Sequence, residues 1–271
     1  MEFLLNYFTQ DEIEDFQLLI FSFVIWNVVN LIVMYADLPD KHLPRDEMLD
    51  MRNRIVSFFH GAISLVLAAY NTYFLHGQCG DKNTRFEDKI LIFSCGYFFY
   101  DFVAMLYLGL MDKSMFIHHL ICVFGMAYSV ISNSSANNLI AALFTAEISN
   151  PAMHVRMVLK HLNLRYSKAY ECAELSYIML YIYGRMILGV PVLIKTIACD
   201  ANPLIQKFFG SGLILQSVYF IYKMAFILRA RSAEYSERKR KGIKMQWFSA
   251  LTQEQISQVD LYSSKRKIKV P

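Results

Sequence analysis

Long apolar stretches alternate with short polar breaks along almost the whole chain. A helix needs roughly 20 mostly apolar residues to cross a bilayer, and about seven stretches of this length can be placed. A soluble core built from 271 residues, 55% of them hydrophobic, does not require so many such stretches. The pattern predicts an all-α fold, a polytopic membrane bundle of about seven transmembrane helices. The predicted spans are residues 16–36, 54–75, 89–110, 115–133, 137–160, 170–198 and 203–229.

The same pattern divides the chain into three parts. An acidic N-terminal segment (1–15) precedes the transmembrane bundle (16–229), and a basic C-terminal tail (230–271) follows it. The short polar break NSSAN makes the fourth and fifth spans antiparallel neighbours. Pro191 is expected to kink the sixth span, because proline removes a hydrogen bond from a helix interior.

Lys and Arg are concentrated at one side of the predicted bundle. They occur in the loop after the first span, in the loop after the fifth span, and in the tail, which contains Arg238-Lys239-Arg240-Lys241. The positive-inside rule therefore places the tail on the inner side, which is the cytosol or the mitochondrial matrix. Lys267 and Lys269 resemble the dilysine retrieval signal of endoplasmic reticulum proteins. The alternative is a basic tail held near anionic headgroups.

The remaining composition excludes some functions. The net charge is only +4 and no basic face is interleaved with exposed aromatics, so no nucleic acid partner is expected. The acidic N-terminus lacks the basic region of a removable signal peptide and is the opposite of an Arg-rich presequence.

Cys79 and Cys199 fall near loops on the same, outer side. One disulfide between them is possible, although their spacing does not by itself support it.

Polar side chains recur within the spans at steps of three or four, so each set shares one helix face. In lipid such faces must turn toward one another or toward water. The residues concerned are Ser57 and His60 in the second span, Tyr97 and Asp101 in the third, Glu147, Asn150 and His154 in the fifth, and Tyr181 and Arg185 in the sixth.

The ionisable members of these sets lie at similar depths. At about 1.5 Å per residue from the inner end, the pair His118-His119 is roughly 5 Å deep and Asp101 roughly 13 Å deep. Together with His60 and Glu147 they predict a shared polar chamber that opens toward the inner face. The alternative is that these groups only join helices through hydrogen bonds. This alternative is favoured for the Tyr and Ser members, and a functional role is favoured for the Asp, Glu and His members.

These residue types suggest two kinds of chemistry, acid–base or nucleophilic catalysis and metal binding. Adjacent helix positions differ by about 100°, so only one histidine of the pair can face the chamber. That imidazole, oriented by Asp101, could act as a general base or nucleophile, and His60 could stabilise developing charge. His118 and Cys122 have the spacing of a metal-ligand pair, but no second histidine box exists, so neither a metal nor another cofactor is expected. Receptor and retinal-protein patterns fit poorly.

Four segments, in this order, carry a resemblance to a known family. They are RNRIVSFFHG with His60, GYFFYDF with Asp101, FIHHLICVFGMAYSV with the His pair, and FTAEISNPAMHVRMVL with Glu147. Across residues 50 to 230 the sequence resembles the TLC-domain family, which includes ceramide synthases and smaller lipid-homeostasis proteins.

The resemblance implies a helical bundle around a lipid-sized cavity, with the His pair at its polar end. In ceramide synthases that pair is catalytic in N-acyl transfer from acyl-CoA to a long-chain base. Carried over, His118 and His119 would be catalytic, and Asp101 and His60 would line the chamber. The sequence departs from those enzymes in having one acid, Glu147, where they have two aspartates. It is more similar to the small TLC-domain proteins.

The sequence therefore predicts a multi-pass protein that binds or handles membrane lipid and influences lipid composition. The alternatives are an acyltransferase of the ceramide synthase type, acting on sphingolipid precursors with acyl-CoA, and a non-catalytic accessory subunit that binds other membrane subunits. The endoplasmic reticulum is the favoured location. The mitochondrial inner membrane is the alternative, because the charge pattern would be the same there.

Overall fold

The computed structural model describes residues 9–75 and 77–259. Every regular element in this part of the chain is helical. The helices are α1 (Gln10–Tyr35), α2 (Arg45–Tyr70), α3 (Arg85–Tyr107), α4 (Lys113–Ser132), α5 (Ala136–Glu147), α6 (Asn150–His161), α7 (Lys168–Ile182), α8 (Gly189–Ala198), α9 (Leu204–Arg240) and α10 (Gln253–Val259). Two π-helical segments, Asn71–Leu75 and Tyr183–Leu188, directly follow α2 and α7.

Six helical stretches of the described chain are long and apolar enough to cross a membrane. They are α1, α2 with its π segment, α3, α4, the α7–α8 stretch and α9. The helices α5 and α6 have 12 residues each and together form the fifth crossing. The all-α, polytopic bundle of about seven spans predicted from the sequence is thereby confirmed.

Helix ends follow the local sequence. Thr9 and Thr84 begin α1 and α3 with capping boxes, in which each threonine accepts from the backbone of a glutamate three residues on. Asp112 caps α4 in a similar way, and Asn133 ends it in the left-handed conformation at φ 49°. These caps satisfy backbone groups that the helices themselves leave unpaired.

The fifth crossing is interrupted rather than continuous. α5 ends at Glu147, and after two intervening residues α6 begins at Asn150 with Pro151 in its first turn. A proline in that place lacks the N–H that would extend α5, and its ring would clash with the carbonyl four residues earlier. The interruption leaves Glu147 and Asn150 at the junction of two half-helices in the middle of the bundle.

The helix α3 is the centre of the packing. In its most apolar stretch 61% of the residues are buried, more than in any other spanning stretch described. It packs between α1 and α4, and the main core includes Leu91 and Tyr100 of α3 with Val56 of α2 and Ile140 of α5. Side chains that α3 directs toward α2 and α4 are therefore removed from lipid and water.

Bonds between loops fix the two ends of the bundle. On the side that the charge pattern predicts to be the outer one, a disulfide joins Cys79 to Cys199, the bridge that the sequence left open. On the inner side the backbone N–H groups of Lys168 and Ala169 donate to the carbonyls of Gln246 and Trp247. The chain after α9 thus folds back onto the start of α7.

The segment boundaries differ slightly from the sequence division. α1 begins at Gln10, within the segment expected to precede the bundle, and α9 continues to Arg240, beyond residue 229. Lys267 and Lys269 lie outside the described residues.

Candidate functional site

A buried hydrogen-bonded pair joins α3 to α4. The Nε2 atom of His119 lies 2.9 Å from Oδ2 of Asp101, and its Nδ1 atom lies 2.8 Å from the carbonyl oxygen of Met115. The other carboxylate oxygen of Asp101 accepts from the amide of Asn53 on α2 at 3.0 Å. Both ring nitrogens of His119 are therefore engaged, and the ring is only 1% exposed.

His60 lies in an aromatic layer next to this pair. Its ring stacks on that of Tyr97 with 3.6 Å between centroids and 7° between planes, and its Nε2 atom is 2.8 Å from the hydroxyl of Ser64. The hydroxyl of Ser57 donates to the carbonyl of Asn53 at 3.0 Å. His60 and Asp101 therefore belong to one packed polar layer between α2, α3 and α4.

A cavity lies on the other side of α4. Its volume is about 100 Å³, so the cavity is narrow. Its walls come from α4, α5, α8 and α9 and are mostly apolar. On α4 they run from His118 to Met126, which at 1.5 Å per residue is about 12 Å along the bundle. Apolar lining residues include Ile121, Leu139, Leu143, Val192, Leu193, Phe209, Leu213 and Ile214.

The inner end of the cavity is polar and contains charged side chains. His118 and Cys122 of α4, Glu147 and Asn150 of the interrupted crossing, and Arg185 of the second π segment line it. The amide of Asn150 donates to Oε2 of Glu147 at 2.9 Å. The ring of His118 lies with its Nε2 atom 3.6 Å from the Cys122 sulfur.

The two histidines of the pair point in different directions. Their rings lie 5.8 Å apart and are nearly perpendicular, at 88°. His118 lines the cavity, and His119 turns into the polar layer toward Asp101. The residues expected to form one chamber are thus divided between a packed layer (His60, Ser57, Tyr97, Asp101, His119) and a cavity (His118, Glu147, Asn150, Arg185).

The two other candidate residues lie elsewhere. His154 of α6 is 6% exposed, does not line the cavity, and has no hydrogen-bond partner for its Nδ1 atom among the described residues. Tyr181 packs edge-on against Tyr177, and its ring lies 5.4 Å from the guanidinium carbon of Arg185. In the described chain no group of three His, Cys, Asp or Glu side chains is arranged to hold a metal ion.

Two residues of this region were not among the candidate site residues predicted from the sequence. Asn53, which bonds Asp101, continues the polar face of α2 by one step of four before Ser57 and could have been found by extending that pattern. Gln206, near the outer end of the cavity, donates to the carbonyl of Gly125 at 3.2 Å. It stands alone near the start of a span, so no periodic signal marked it.

A comparison with protein families finds a matching domain. Residues 50–230 match the family model of the TLC domain, which covers two thirds of the chain. The matched region contains every residue that lines the cavity or belongs to the polar layer.

Proposed function

The chain belongs to the TLC-domain family of multi-pass membrane proteins, and from this membership together with the cavity we propose that it binds a hydrocarbon chain of a membrane lipid. One observation carries the proposal. The cavity has apolar walls along about 12 Å, and its ionisable side chains lie at one end. This arrangement matches an amphiphile with a single chain and a polar head.

The polar ends of the cavity are unequal, which sets the orientation of the lipid. At the outer end Ser135 donates to Asn202, and Thr196 and Gln206 donate to backbone carbonyls. These groups are already paired within the protein. At the inner end Arg185 has no hydrogen-bond partner for its buried Nε atom and remains available to a headgroup. The chain of the lipid accordingly extends from the inner polar end toward the outer side.

Two leucines of α9 provide a matched test. Leu213 lines the cavity, whereas Leu215 does not and is 71% exposed on the outside of the bundle. We expect Leu213→Trp to fill the cavity and to lower binding of a fluorescent single-chain lipid by at least about tenfold, since apolar contact is lost. Leu215→Trp should bind like the wild type.

The measurement is a titration of purified, full-length protein in detergent, together with mass spectrometry of lipids that copurify. The proposal fails if the wild type binds no single-chain lipid, or if Leu213→Trp and Leu215→Trp bind it equally.

The position of His118 favours a second candidate, acyl transfer through this imidazole. Its ring lies at the polar end of the cavity, where the carbonyl of a bound acyl group would come. His119 and Asp101 would then support the helix α4 that carries it. An effect on membrane lipid composition would follow from either candidate.

For the location we propose the endoplasmic reticulum membrane, with the disulfide on the lumenal side. Cys79 and Cys199 lie on the side opposite to the basic loops, and disulfides persist in oxidising compartments such as the reticulum lumen.

A further inference from the structure

Arg185 occupies an unusual position for a charged residue. It belongs to the π-helical segment Tyr183–Leu188 in the middle of the sixth crossing, and its side chain lines the inner end of the cavity. π-Helical turns inside α-helices are frequently found at functional sites. Here the turn falls where the sixth crossing meets the interruption of the fifth.

In the part of the chain that the structure describes, this arginine forms neither a hydrogen bond nor a close ion pair. Its Nε atom is buried without a hydrogen-bond partner, and its guanidinium carbon lies 5.4 Å from the centre of the Tyr181 ring. Glu147 interacts with it electrostatically, without a hydrogen bond between the two. The nearby carboxylate, Glu147, accepts instead from Asn150.

Other arginines with little exposure are paired in the usual way. Arg52 bonds Asp40 with 2.6 Å between Nε and Oδ2. Arg156 and Arg231 share Glu174, with Nε to carboxylate distances of 3.0 and 2.6 Å. The rule that buried charges are paired thus holds for them within this chain and makes Arg185 the exception.

The missing partner of Arg185 defines the kind of ligand that suits the cavity. A guanidinium inside a membrane is costly unless an anion accompanies it, and its fork of donors fits carboxylate and phosphate. The geometry points to a single-chain amphiphile with an anionic headgroup, a carboxylate or a phosphate monoester, bound against Arg185. His118 is near enough to line the same headgroup site. This inference rests on the proposed function, because it requires a lipid in the cavity.

Substitution of Glu147 is expected to change the affinity for an anionic ligand in the opposite direction to substitution of Arg185. Its carboxylate lines the same end of the cavity and opposes a second negative charge there. We therefore expect Arg185→Gln to weaken binding of an anionic amphiphile and Glu147→Gln to strengthen it. A purely structural role for the two residues would not move binding in opposite directions.

The test compares three radiolabelled ligands on the purified full-length protein. They share a palmitoyl chain and differ in the headgroup: palmitic acid carries a carboxylate, 1-palmitoyl lysophosphatidic acid a phosphate, and monopalmitoylglycerol no charge. We expect the wild type to bind at least one anionic ligand about tenfold more tightly than the neutral one, as one charge-assisted hydrogen bond provides. Arg185→Gln should reduce its affinity to that of the neutral ligand.

Two further variants control the result. Lys195→Gln removes a positive charge from an exposed site in the same crossing that does not line the cavity, and should change nothing. Arg185→Lys keeps the charge, so it should retain a preference for anions even if Arg185→Gln folds poorly.

The outcomes distinguish a failure of this inference from a failure of the proposed lipid binding. Preference for palmitic acid alone or for the phosphate ligand alone supports the inference and identifies the headgroup. Equal binding of all three ligands, unchanged in Arg185→Gln, overturns the inference and leaves lipid binding intact. If the wild type binds none of the three, both the inference and the proposed function are wrong.

Discussion

The adjacent residues His118 and His119 of α4 have different environments and therefore different expected roles. Helix geometry alone required that His118 and His119 face different surroundings. It could not say which one faces the cavity, because that depends on how α3 packs against α4. The structure turns His119 toward Asp101 and directs His118 to the cavity. Their use as catalytic residues stays a prediction.

This division predicts different consequences for the two histidines. His119→Gln and Asp101→Asn should each lower the thermal midpoint of the purified protein, since each disrupts a buried, charge-assisted bond worth about 1.5–3 kcal/mol. His118→Gln, which loses no such bond, should melt near the wild type. Differential scanning fluorimetry in detergent measures the three midpoints.

The same variants also test whether the protein catalyses acyl transfer. If the protein transfers an acyl group from acyl-CoA, His118→Gln should abolish the product while the protein remains folded. A stable His119→Gln variant, with a midpoint equal to that of the wild type, would contradict the structural role given to the bond with Asp101.

At the scale of elements, the fifth and sixth crossings depart most from regular helices. The sequence predicted a continuous span over 137–160 and a kink at Pro191. The structure has an interruption before Asn150 and a π-helical segment at Tyr183–Leu188. A proline in a span marks a disturbance, but whether the helix bends or breaks depends on neighbours that satisfy the freed backbone groups. The polar faces were predictable because they follow helical periodicity.

The two irregular crossings approach each other closely at one glycine. A Cβ atom at Gly184 would lie 2.5 Å from the backbone oxygen of Thr145, whereas one at Gly212 would meet nothing nearer than 3.6 Å. We expect Gly184→Ala to separate the crossings and to lower both the yield of folded protein and its thermal midpoint. Gly212→Ala should be neutral or slightly stabilising, because alanine is the better helix former. Equal behaviour of the two variants would contradict this contact.

For the whole molecule, hydrophobicity and charge together predicted most of the architecture. The number of crossings and the antiparallel arrangement follow from apolar length and loop position. The enclosure of α3 did not, because all spans are similarly apolar and burial depends on neighbours in three dimensions. The bridge between Cys79 and Cys199 also required the fold, since 120 residues separate the two sulfurs along the chain.

The bridge can be tested on intact protein. A protease site inserted in the inner loop that follows Leu162 should divide the chain between the fifth and sixth crossings. The two fragments should migrate as one band without reductant and as two bands with it. In a Cys199→Ser background two bands should appear under both conditions. Two bands from the cleaved wild type without reductant would show that the bridge is absent.

The same bridge makes part of the chain a covalent ring. Between Cys79 and Cys199 the polypeptide crosses the membrane four times, through α3, α4, the α5–α6 pair and the α7–α8 stretch, and then closes on itself. A ring cannot be drawn through a narrow pore as a single strand. Machinery that extracts this protein from its membrane for degradation must therefore reduce the disulfide first, or accommodate two strands at once.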